Sequence, residues 1–455
     1  MKRIAFFFIA VTAFVLCNLQ LATANSPIVQ WQKTLGGWGW DEAHAIRQSS
    51  DGGYIIVGHT YSYGEGKCDI YLVKTDSSGN MQWQRTFGGS SWDWGTSVQQ
   101  TSDTGYIITG TTDQSNICLI KTDSDGKRQW QKTFTGRGYS VQQTPDGGYI
   151  IAGECWLCGA GDWDVYLIKT DSDGDTQWER TFGGTNWDWP LSVQQTTDGG
   201  YILAGYTRSF GAGSSDVYLI KTDSNGNMQW QKAFGGSESD HGYSVQQTRD
   251  GGYIITGYTD SFGQGYRNVY LIKTDATGNA QWEKVYGGNP DEYGRSVQQT
   301  IDGGYIVAGE SKPADTTSDV YLFKTDSKGN VEWEKIFGGA EDDVAWSVQQ
   351  TVDGEYIVAG YTRSYGAGSS DVYLIKLGPL IIYVDDDANG LNNGSSWENA
   401  YNYLQDALAD ARSAEKPVEI RVAQGVYKPD QGIGITLGDR TSAFQLINGV
   451  TTVPL

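Results

Sequence analysis

The stretch DGGYILAGYTRSFGAGSSDVYLIKTDSNGNMQWQKAFGG (198–236) decides the fold, because the chain spells nearly the same segment several times. Residues 51–89, for example, read DGGYIIVGHTYSYGEGKCDIYLVKTDSSGNMQWQRTFGG. A tryptophan near the end of each copy marks seven repeats, and successive tryptophans are 47 to 52 residues apart. Repeats of about 52 residues indicate either a linear solenoid or a closed propeller. The marker residues are Trp31, Trp83, Trp130, Trp178, Trp230, Trp282 and Trp333.

Each repeat contains four short segments that are typical of β-strands. One copy reads SVQQT (244–248) and GYIITGYT (252–259), and the neighbouring copy supplies DVYLIKTD (216–223) and MQWQKAF (228–234). The VYLIK run has no polar alternation, which predicts a strand that is buried on both faces. Four antiparallel strands per repeat, stacked face to face around an axis, form the blades of a propeller.

The two ends of the repeat region predict how the ring closes. IVQWQKTLGG (28–37) is a fourth strand without the first three, and DVYLIKLG (371–378) ends a copy that has no fourth strand. We therefore predict that residues 28–35 pair with residues 371–377, which removes the exposed edges of an open stack. The fold class is all-β, with a seven-bladed β-propeller over residues 25–378.

The N-terminus predicts export. Residues 1–24 have a basic start, an apolar run and the small residues Ala22-Thr23-Ala24, which is the pattern of a secretory signal peptide. No later segment approaches the roughly 20 apolar residues of a membrane span. We expect a secreted, periplasmic or cell-surface protein without a membrane span.

The net charge of −21 argues against nucleic acid as a partner, because proteins that bind it need basic faces. Acidity by itself identifies no other partner, since it also keeps an exported protein soluble.

Two resemblances support this division of the chain. The D-x-x-G-x-x-x-W hairpin of each repeat loosely resembles the blades of quinoprotein-like propellers, and the whole repeat looks like those of uncharacterised secreted repeat proteins of bacteria and archaea. This resemblance covers residues 28–378 and implies the propeller fold without naming a ligand. The cationic and metal-binding residues that a quinone cofactor would need are not recognisable.

Residues 379–455 resemble the opening of right-handed parallel β-helix domains, which are pectin lyase-like folds of bacterial surface proteins. The segments that carry the likeness are LIIYVDDDANGLNNGSSW (380–397), A-x-G-x-Y-x-P (423–429) and DRTSAFQLINGV (439–450). Between them, ENAYNYLQDALADARSA (398–414) predicts one short amphipathic α-helix. We expect an incomplete β-helix and hence a fragment of a longer surface protein.

The cysteines and histidines predict no metal site. Cys155 and Cys158 lie in a C-x-x-C segment, for which we expect a local disulfide or free thiols, since a zinc site would want a second such pair or partnering histidines. No bridge between Cys68 and Cys118 is expected, because blades stack about 10 Å apart and a disulfide needs Cα atoms within about 7 Å. The histidines are His44, His59 and His241.

An acidic residue recurs four positions after the second glycine that precedes most blades. These carboxylates either cap amides of their loops or, as an alternative, bind calcium across one face of the propeller. A second acidic set precedes the third strand of most blades. The recurring residues are Asp41, Asp93, Asp188, Asp240, Glu292 and Asp343, and the second set is Asp69, Asp164, Asp216, Asp319 and Asp371.

Tryptophans next to these carboxylates occur in some blades only. Trp40, Trp92 and Trp187 share one column, whereas Trp94 and Trp189 fill another column in two blades. Because these tryptophans occur in some blades and not in others, they predict an aromatic ligand site. In this site Asp93 and Asp188 would accept hydrogen bonds from ligand hydroxyl groups. The site would lie beside a cleft over the shortened third blade. Such rings could stack on sugars or dock a protein, or could instead fill gaps between blades.

These observations favour a non-catalytic, secreted or cell-surface binding or adhesion module. It would be a monomeric propeller within a larger surface protein and would recognise a glycan or a protein partner. We find no catalytic motif of the G-x-S-x-G or H-E-x-x-H type. The alternative is part of an enzyme, either a quinoprotein-like oxidoreductase or a carbohydrate-active protein whose catalytic residues lie outside this sequence.

Overall fold

The computed structural model describes residues 26–113, 115–288, 290–313, 316–414, 418–423, 431–432 and 450–454. The predicted signal peptide (1–24) and nearly all of the segments 423–429 and 439–450, which carry the resemblance to β-helix domains, lie outside the described residues.

Seven four-stranded antiparallel sheets form the blades of a β-propeller. The chain runs through the four strands of each blade in order, from the strand nearest the central channel to the outermost one. Blade one comprises β2 (Asp41–Gln48), β3 (Tyr54–Thr60), β4 (Asp69–Thr75) and β5 (Met81–Phe87). Blade two comprises β6 (Trp94–Gln100), β7 (Tyr106–Thr112), β8 (Asn116–Thr122) and β9 (Arg128–Thr135). Blade three comprises β10 (Arg137–Gln143), β11 (Tyr149–Trp156), β12 (Trp163–Thr170) and β13 (Thr176–Phe182). Blade four comprises β14 (Asp188–Gln195), β15 (Tyr201–Thr207), β16 (Asp216–Thr222) and β17 (Met228–Phe234). Blade five comprises β18 (Asp240–Gln247), β19 (Tyr253–Thr259), β20 (Asn268–Thr274) and β21 (Ala280–Tyr286). Blade six comprises β22 (Asp291–Gln299), β23 (Tyr305–Lys312), β24 (Asp319–Thr325) and β25 (Val331–Phe337).

Blade seven closes the ring. It comprises β26 (Asp343–Gln350), β27 (Tyr356–Thr362), β28 (Asp371–Gly378) and, from the other end of the chain, β1 (Ile28–Leu35). The pairing of β1 with β28 runs from Ile28 opposite Gly378 to Leu35 opposite Val372. The predicted closure by one N-terminal and three C-terminal strands is confirmed.

The marker tryptophans join each blade to the next one around the whole ring. Each indole on a fourth strand meets a tyrosine of the following blade, with ring centroids 5.6 to 6.1 Å apart. The hairpin turn of the following blade packs on the same indole. At Gly126, for example, φ is +75° and an added Cβ would lie 2.6 Å from the Trp83 ring, so the turn needs glycine for both reasons. The pairs are Trp31–Tyr54, Trp83–Tyr106, Trp130–Tyr149, Trp178–Tyr201, Trp230–Tyr253, Trp282–Tyr305 and Trp333–Tyr356.

The repeated SVQQ segments line the channel and hold the inner strands together. The amide of Val193 donates to Ser140 Oγ of the preceding blade at 3.2 Å, and the amide of Gln195 donates to Gln142 Oε1 at 2.6 Å. Equivalent bonds recur at five of the other six blade junctions. At the junction of blades one and two, Ala45 and Arg47 replace the serine and the glutamine. The serine and glutamine repeats are therefore explained by folding.

A buried lysine on the third strand of every blade pairs with an aspartate of the turn between the first two strands. Lys221 Nζ lies 2.8 Å from Asp198 Oδ2, and it also donates to the Thr222 carbonyl. Partial burial raises the pKa of Asp198, but hydrogen bonds from Lys221, Thr196 and the Gly200 amide outweigh it and lower the pKa to about 2. The pKa is lowered at six such aspartates, Asp51, Asp103, Asp146, Asp198, Asp250 and Asp302.

Acid is expected to destabilise the propeller through these pairs. A lowered pKa stabilises the folded state above the unfolded value of 3.8, and this contribution is lost as the pH falls toward the folded value of about 2. Urea unfolding at a series of pH values would show the free energy of unfolding falling over this interval. Asp198→Asn should flatten the dependence of the unfolding free energy on pH more than the matched control Asp125→Asn, which replaces an exposed turn residue. Equal slopes for the two variants would contradict the assignment.

The C-terminal residues form a small unit of different architecture. Strands β29 (Leu380–Val384), β30 (Val418–Val422) and β31 (Val450–Pro454) make a parallel sheet, and helix α1 (Leu404–Ser413) packs on it through Ala407, Leu408 and Ala411. The predicted single short helix is confirmed, although it begins six residues later than the predicted segment. Its expected first turn instead pairs with the sheet, since the Tyr401 amide donates to the Tyr383 carbonyl at 2.8 Å. The described part of the chain has no helix of the length and apolarity needed to cross a membrane.

The four cysteines of the propeller differ in state. Cys155 and Cys158 form a disulfide, with Cα atoms 5.9 Å apart, in the connection between β11 and β12. Cys68 and Cys118 are free and buried, Cys118 among the apolar side chains between blades one and two.

Candidate functional site

Two sets of connections share one face of the propeller, which we call the loop face. They are the connections that enter the first strand of each blade and those between its second and third strands. They touch at the blade junctions, where the Asp93 amide donates to the Cys68 carbonyl at 2.9 Å and the Asp240 amide to the Ser215 carbonyl at 2.7 Å. The two sets of connections therefore meet on one face.

The recurring carboxylates hold the loop face together. Asp188 is fully buried and accepts hydrogen bonds from the Gly184 amide at 2.8 Å, from Ser209 at 2.7 Å and from the Thr207 hydroxyl. Asp93 is also fully buried and accepts hydrogen bonds from the Gly89 amide and the Thr112 hydroxyl. The interpretation of these residues as loop caps is confirmed.

The proposed contact of Asp93 and Asp188 with a ligand stays a prediction, although neither carboxylate is exposed in the structure. Both side chains lie beneath the loop surface, and their oxygens are engaged by groups of their own blade. Calcium binding by neighbouring carboxylates, such as Asp216 and Asp240 on either side of Gly235, stays a prediction.

A β-bulge shapes the channel mouth on the loop face. In every blade the register of the first two strands shifts by one residue just before the S-V of the repeat, as between Gly294 and Ser296. A bulge leaves one residue unpaired and redirects its side chain. The seven bulged side chains line a cavity of about 160 Å³, which we call the mouth ring. Its members are His44, Thr96, Tyr139, Leu191, Tyr243, Arg295 and Trp346.

The mouth ring is a functional candidate that the sequence analysis missed. Its members are of six residue types in seven blades, whereas the serine or alanine that follows each of them hardly varies. A folding role would favour the same residue in every blade. The signal was present in the sequence as a highly variable column inside a repeated strand.

Arg295 is the cation of the mouth ring. Its guanidinium carbon lies 4.7 Å from the ring centroids of Tyr243 and Tyr293 and 4.4 Å from that of Trp346. The guanidinium also pairs with the buried carboxylate of Glu310, while its Nε is buried without a hydrogen-bond partner. The aromatic faces and the carboxylate together hold a desolvated cation at the channel mouth.

Glu42, His44 and His59 lie together at the blade-one side of the mouth. One potential ligand atom from each residue is within 4.8 Å of the other two. Burial lowers the pKa of His44 to about 4 and that of His59 to about 3, so both imidazoles are neutral at neutral pH. Burial also raises the pKa of Glu42 to about 7, against the opposing effect of Arg363.

The predicted tryptophans occupy different environments on the loop face. Trp187 and Trp189 are brought together in a stack with centroids 5.8 Å apart, and Trp189 also meets Tyr206 edge-on at 4.9 Å. Trp92 is half-buried beneath Lys67 Nζ, which lies 4.0 Å from its ring centroid, and Trp94 is half-buried at the start of β6.

Several exposed aromatic side chains lie at the junction of blades seven and one. Trp38 is 88% exposed and Trp40 is 48% exposed, with the Trp40 ring centroid 6.0 Å from that of Tyr61. Tyr63 completes the group and donates its hydroxyl to the Gly36 carbonyl at 2.8 Å. We call Trp38, Trp40, Tyr61 and Tyr63 the aromatic rim. Sequence reasoning found Trp40 and missed the other three.

The fold and the site define the chain as a seven-bladed β-propeller with an aromatic loop face and a variable channel mouth. No family model matches it. Regulatory protein FlaEY of Caulobacter vibrioides is 26% identical over 195 residues, which are 39% of this chain and only 20% of FlaEY, so the chain matches about a fifth of that relative.

Two solved structures illustrate the likeness of fold. BBS1N, solved in complex with ARL6DN, is 11% identical with a TM-score of 0.48, over 78% of this chain and 98% of that one. BamB from Moraxella catarrhalis is 11% identical with a TM-score of 0.40, over 76% of this chain and 97% of that one.

Proposed function

We propose that the protein is an exported, non-catalytic binding module that recognises a glycan through its loop face. The single observation that carries this proposal is the concentration of exposed indoles in one sector of that face, at Trp38 and Trp40. Folding explains the residues that all blades share. It does not explain why this junction presents an indole that is 88% exposed beside a second one that is 48% exposed.

The chemistry of the aromatic rim suits a carbohydrate. Indole and phenol rings offer flat apolar faces for the C–H groups of a sugar ring, while the Tyr61 hydroxyl can exchange hydrogen bonds with sugar hydroxyls. The stacked pair Trp187 and Trp189 offers a second platform on the same face, across the shortened third blade from Trp92 and Trp94. A polymer could contact both platforms.

A protein partner is the second candidate, and the arginines of the loop face favour it. Arg208 lies over Trp187 at 4.8 Å, and Arg363 lies over Trp40 at 5.5 Å. Tryptophan, tyrosine and arginine are the residues most enriched at energetic centres of protein interfaces.

The export and domain proposals rest on separate observations. The pattern of residues 1–24 supports cleavage after Ala24, which the mass of chain recovered from an exporting bacterial host would test. The parallel order of β29, β30 and β31 supports a right-handed β-helix that begins near residue 379.

Replacing both Trp38 and Trp40 by alanine is expected to weaken glycan binding by about 2–4 kcal/mol, at about 1–2 kcal/mol for each aromatic anchor. The ligand would first be found on a glycan array and its affinity then measured by calorimetry. The melting temperature should change little, because Trp38 is almost fully exposed.

The matched control replaces two exposed apolar residues of the opposite face, Ile301 and Val352, by alanine. These side chains are 73% and 93% exposed and should not affect binding. An array without hits would reject the glycan, and equal losses in the two double variants would reject the loop face as the site.

A further inference from the structure

Three side chains with metal-binding atoms converge at the blade-one edge of the channel mouth. Glu42 and His59 are directly opposite each other in the pairing of β2 with β3, so their side chains leave the sheet side by side. His44 is the bulged residue of β2, and the bulge turns its side chain into the mouth ring beside them. The closeness of the three groups thus follows from the backbone and not from flexible side chains reaching across a surface.

His59 has an unsatisfied ring nitrogen. Only 8% of the residue is exposed, and Nδ1 is buried without a hydrogen-bond partner. Buried polar atoms of side chains are usually paired, so this one calls for a physical explanation. A metal ion held among the imidazoles and the carboxylate supplies the partner.

The ring of His44 is held in place by its neighbours. The ring centroids of Trp346 and His59 lie 5.4 and 5.1 Å from that of His44. A prepositioned ring loses little freedom on binding an ion.

We propose that Glu42, His44 and His59 bind one divalent transition-metal ion of the zinc type. Two imidazole nitrogens and one carboxylate oxygen are a ligand set that zinc and its neighbours accept, whereas calcium prefers six to eight oxygens. Three protein ligands leave the fourth position of a tetrahedral ion open, and one of these ligands, His44, lines the mouth cavity. The bound ion would present a Lewis-acidic site to a carboxylate or hydroxyl group entering the mouth.

This site departs from the sequence-based expectation of no metal. That expectation considered the histidines by number and spacing along the chain. The relevant neighbour of His44 is His59 on the adjacent strand, together with the carboxylate of Glu42, and only the strand register reveals the group.

The test is calorimetric titration of the untagged, EDTA-treated and dialysed protein with zinc chloride. We expect one ion per chain. His44→Ala and His59→Ala should each weaken binding by more than about 100-fold, since even changes to groups that only orient ligands cost about 10- to 100-fold. Zinc should also raise the melting temperature of the unaltered protein and not that of either variant.

The matched control is His241→Ala, which removes the third histidine of the chain. His241 stacks on Tyr206 at 3.7 Å and bonds to Ser215, so its loss should leave the zinc stoichiometry and affinity unchanged. If a histidine variant is unstable in EDTA, Glu42→Gln, which keeps the side-chain shape, should show the same loss of affinity.

Absence of a zinc site in the unaltered protein, or unchanged binding in both His44→Ala and His59→Ala, would overturn the proposal. Glycan binding measured in EDTA does not involve the ion. The two proposals can therefore fail independently.

Discussion

A chain that begins at Trp38 and so lacks β1 is expected to lose the cooperative stability of the propeller. In the intact ring, β1 covers the outer edge of β28 over the whole length of that strand. Trp31 and Leu35 of β1 also pack against the apolar cluster between blades seven and one. Full burial of a large apolar side chain is worth about 1.5–3 kcal/mol, and these two partly buried residues each contribute a fraction of that, against a usual total of about 5–15 kcal/mol.

The loss should extend beyond these side chains. Without Trp31 the aromatic contact that joins blade seven to Tyr54 of blade one is broken, and the ring of seven such contacts opens. The uncovered edge of β28 becomes a template for pairing with another chain. We expect a strongly lowered melting temperature in calorimetry together with higher oligomers in size-exclusion chromatography.

The control is a chain that begins at Ser26 and keeps β1. A synthetic peptide of residues 26–37, added to the shortened chain, should restore part of the melting temperature by occupying the same edge. A shortened chain that stays monomeric and melts at the control temperature would show that the pairing of β1 with β28 contributes little to the stability of the propeller.

The fold could be predicted because every blade repeats the information for it. The buried VYLIK strand, the glycine turn and the docking tryptophan each have a local cause, and the half-repeats at the two ends define the closure. The helix boundary near Leu404 was less predictable, since the residues before it have helical periodicity but pair with the edge of β29.

The functional face could be predicted only in part. The aspartate column was visible, but the burial of Asp188 depends on Thr207 and Ser209, which lie about twenty residues away in sequence and reach it through the fold. The mouth ring depends on a bulge in the pairing of the first two strands of each blade. This bulge recurs in every blade but is visible only once the register of the strands is known.

Replacing Arg295 by methionine is expected to destabilise the propeller by about 3–5 kcal/mol, the cost of leaving one partner of a buried ion pair uncompensated. Glu310 is 8% exposed, and Arg295 is its cationic partner in the structure. The aromatic rings around the guanidinium would retain their packing against the methionine side chain, so the loss should come mainly from the carboxylate. Urea unfolding would measure it as a lower midpoint at an unchanged slope.

The double variant Arg295→Met/Glu310→Gln separates the charge from the packing. Glutamine keeps the shape of Glu310 without its charge, so the double variant should recover a large part of the stability that the single variant loses. The difference between the single and double variants measures the coupling between the two residues. If Arg295→Met costs the same free energy in the Glu310→Gln background, the guanidinium contributes through its aromatic contacts alone. In that case the variation among the mouth-ring residues would reflect differences in packing from blade to blade. A large coupling would instead show that the ring holds a charge at the channel mouth, which costs stability and is not needed for folding.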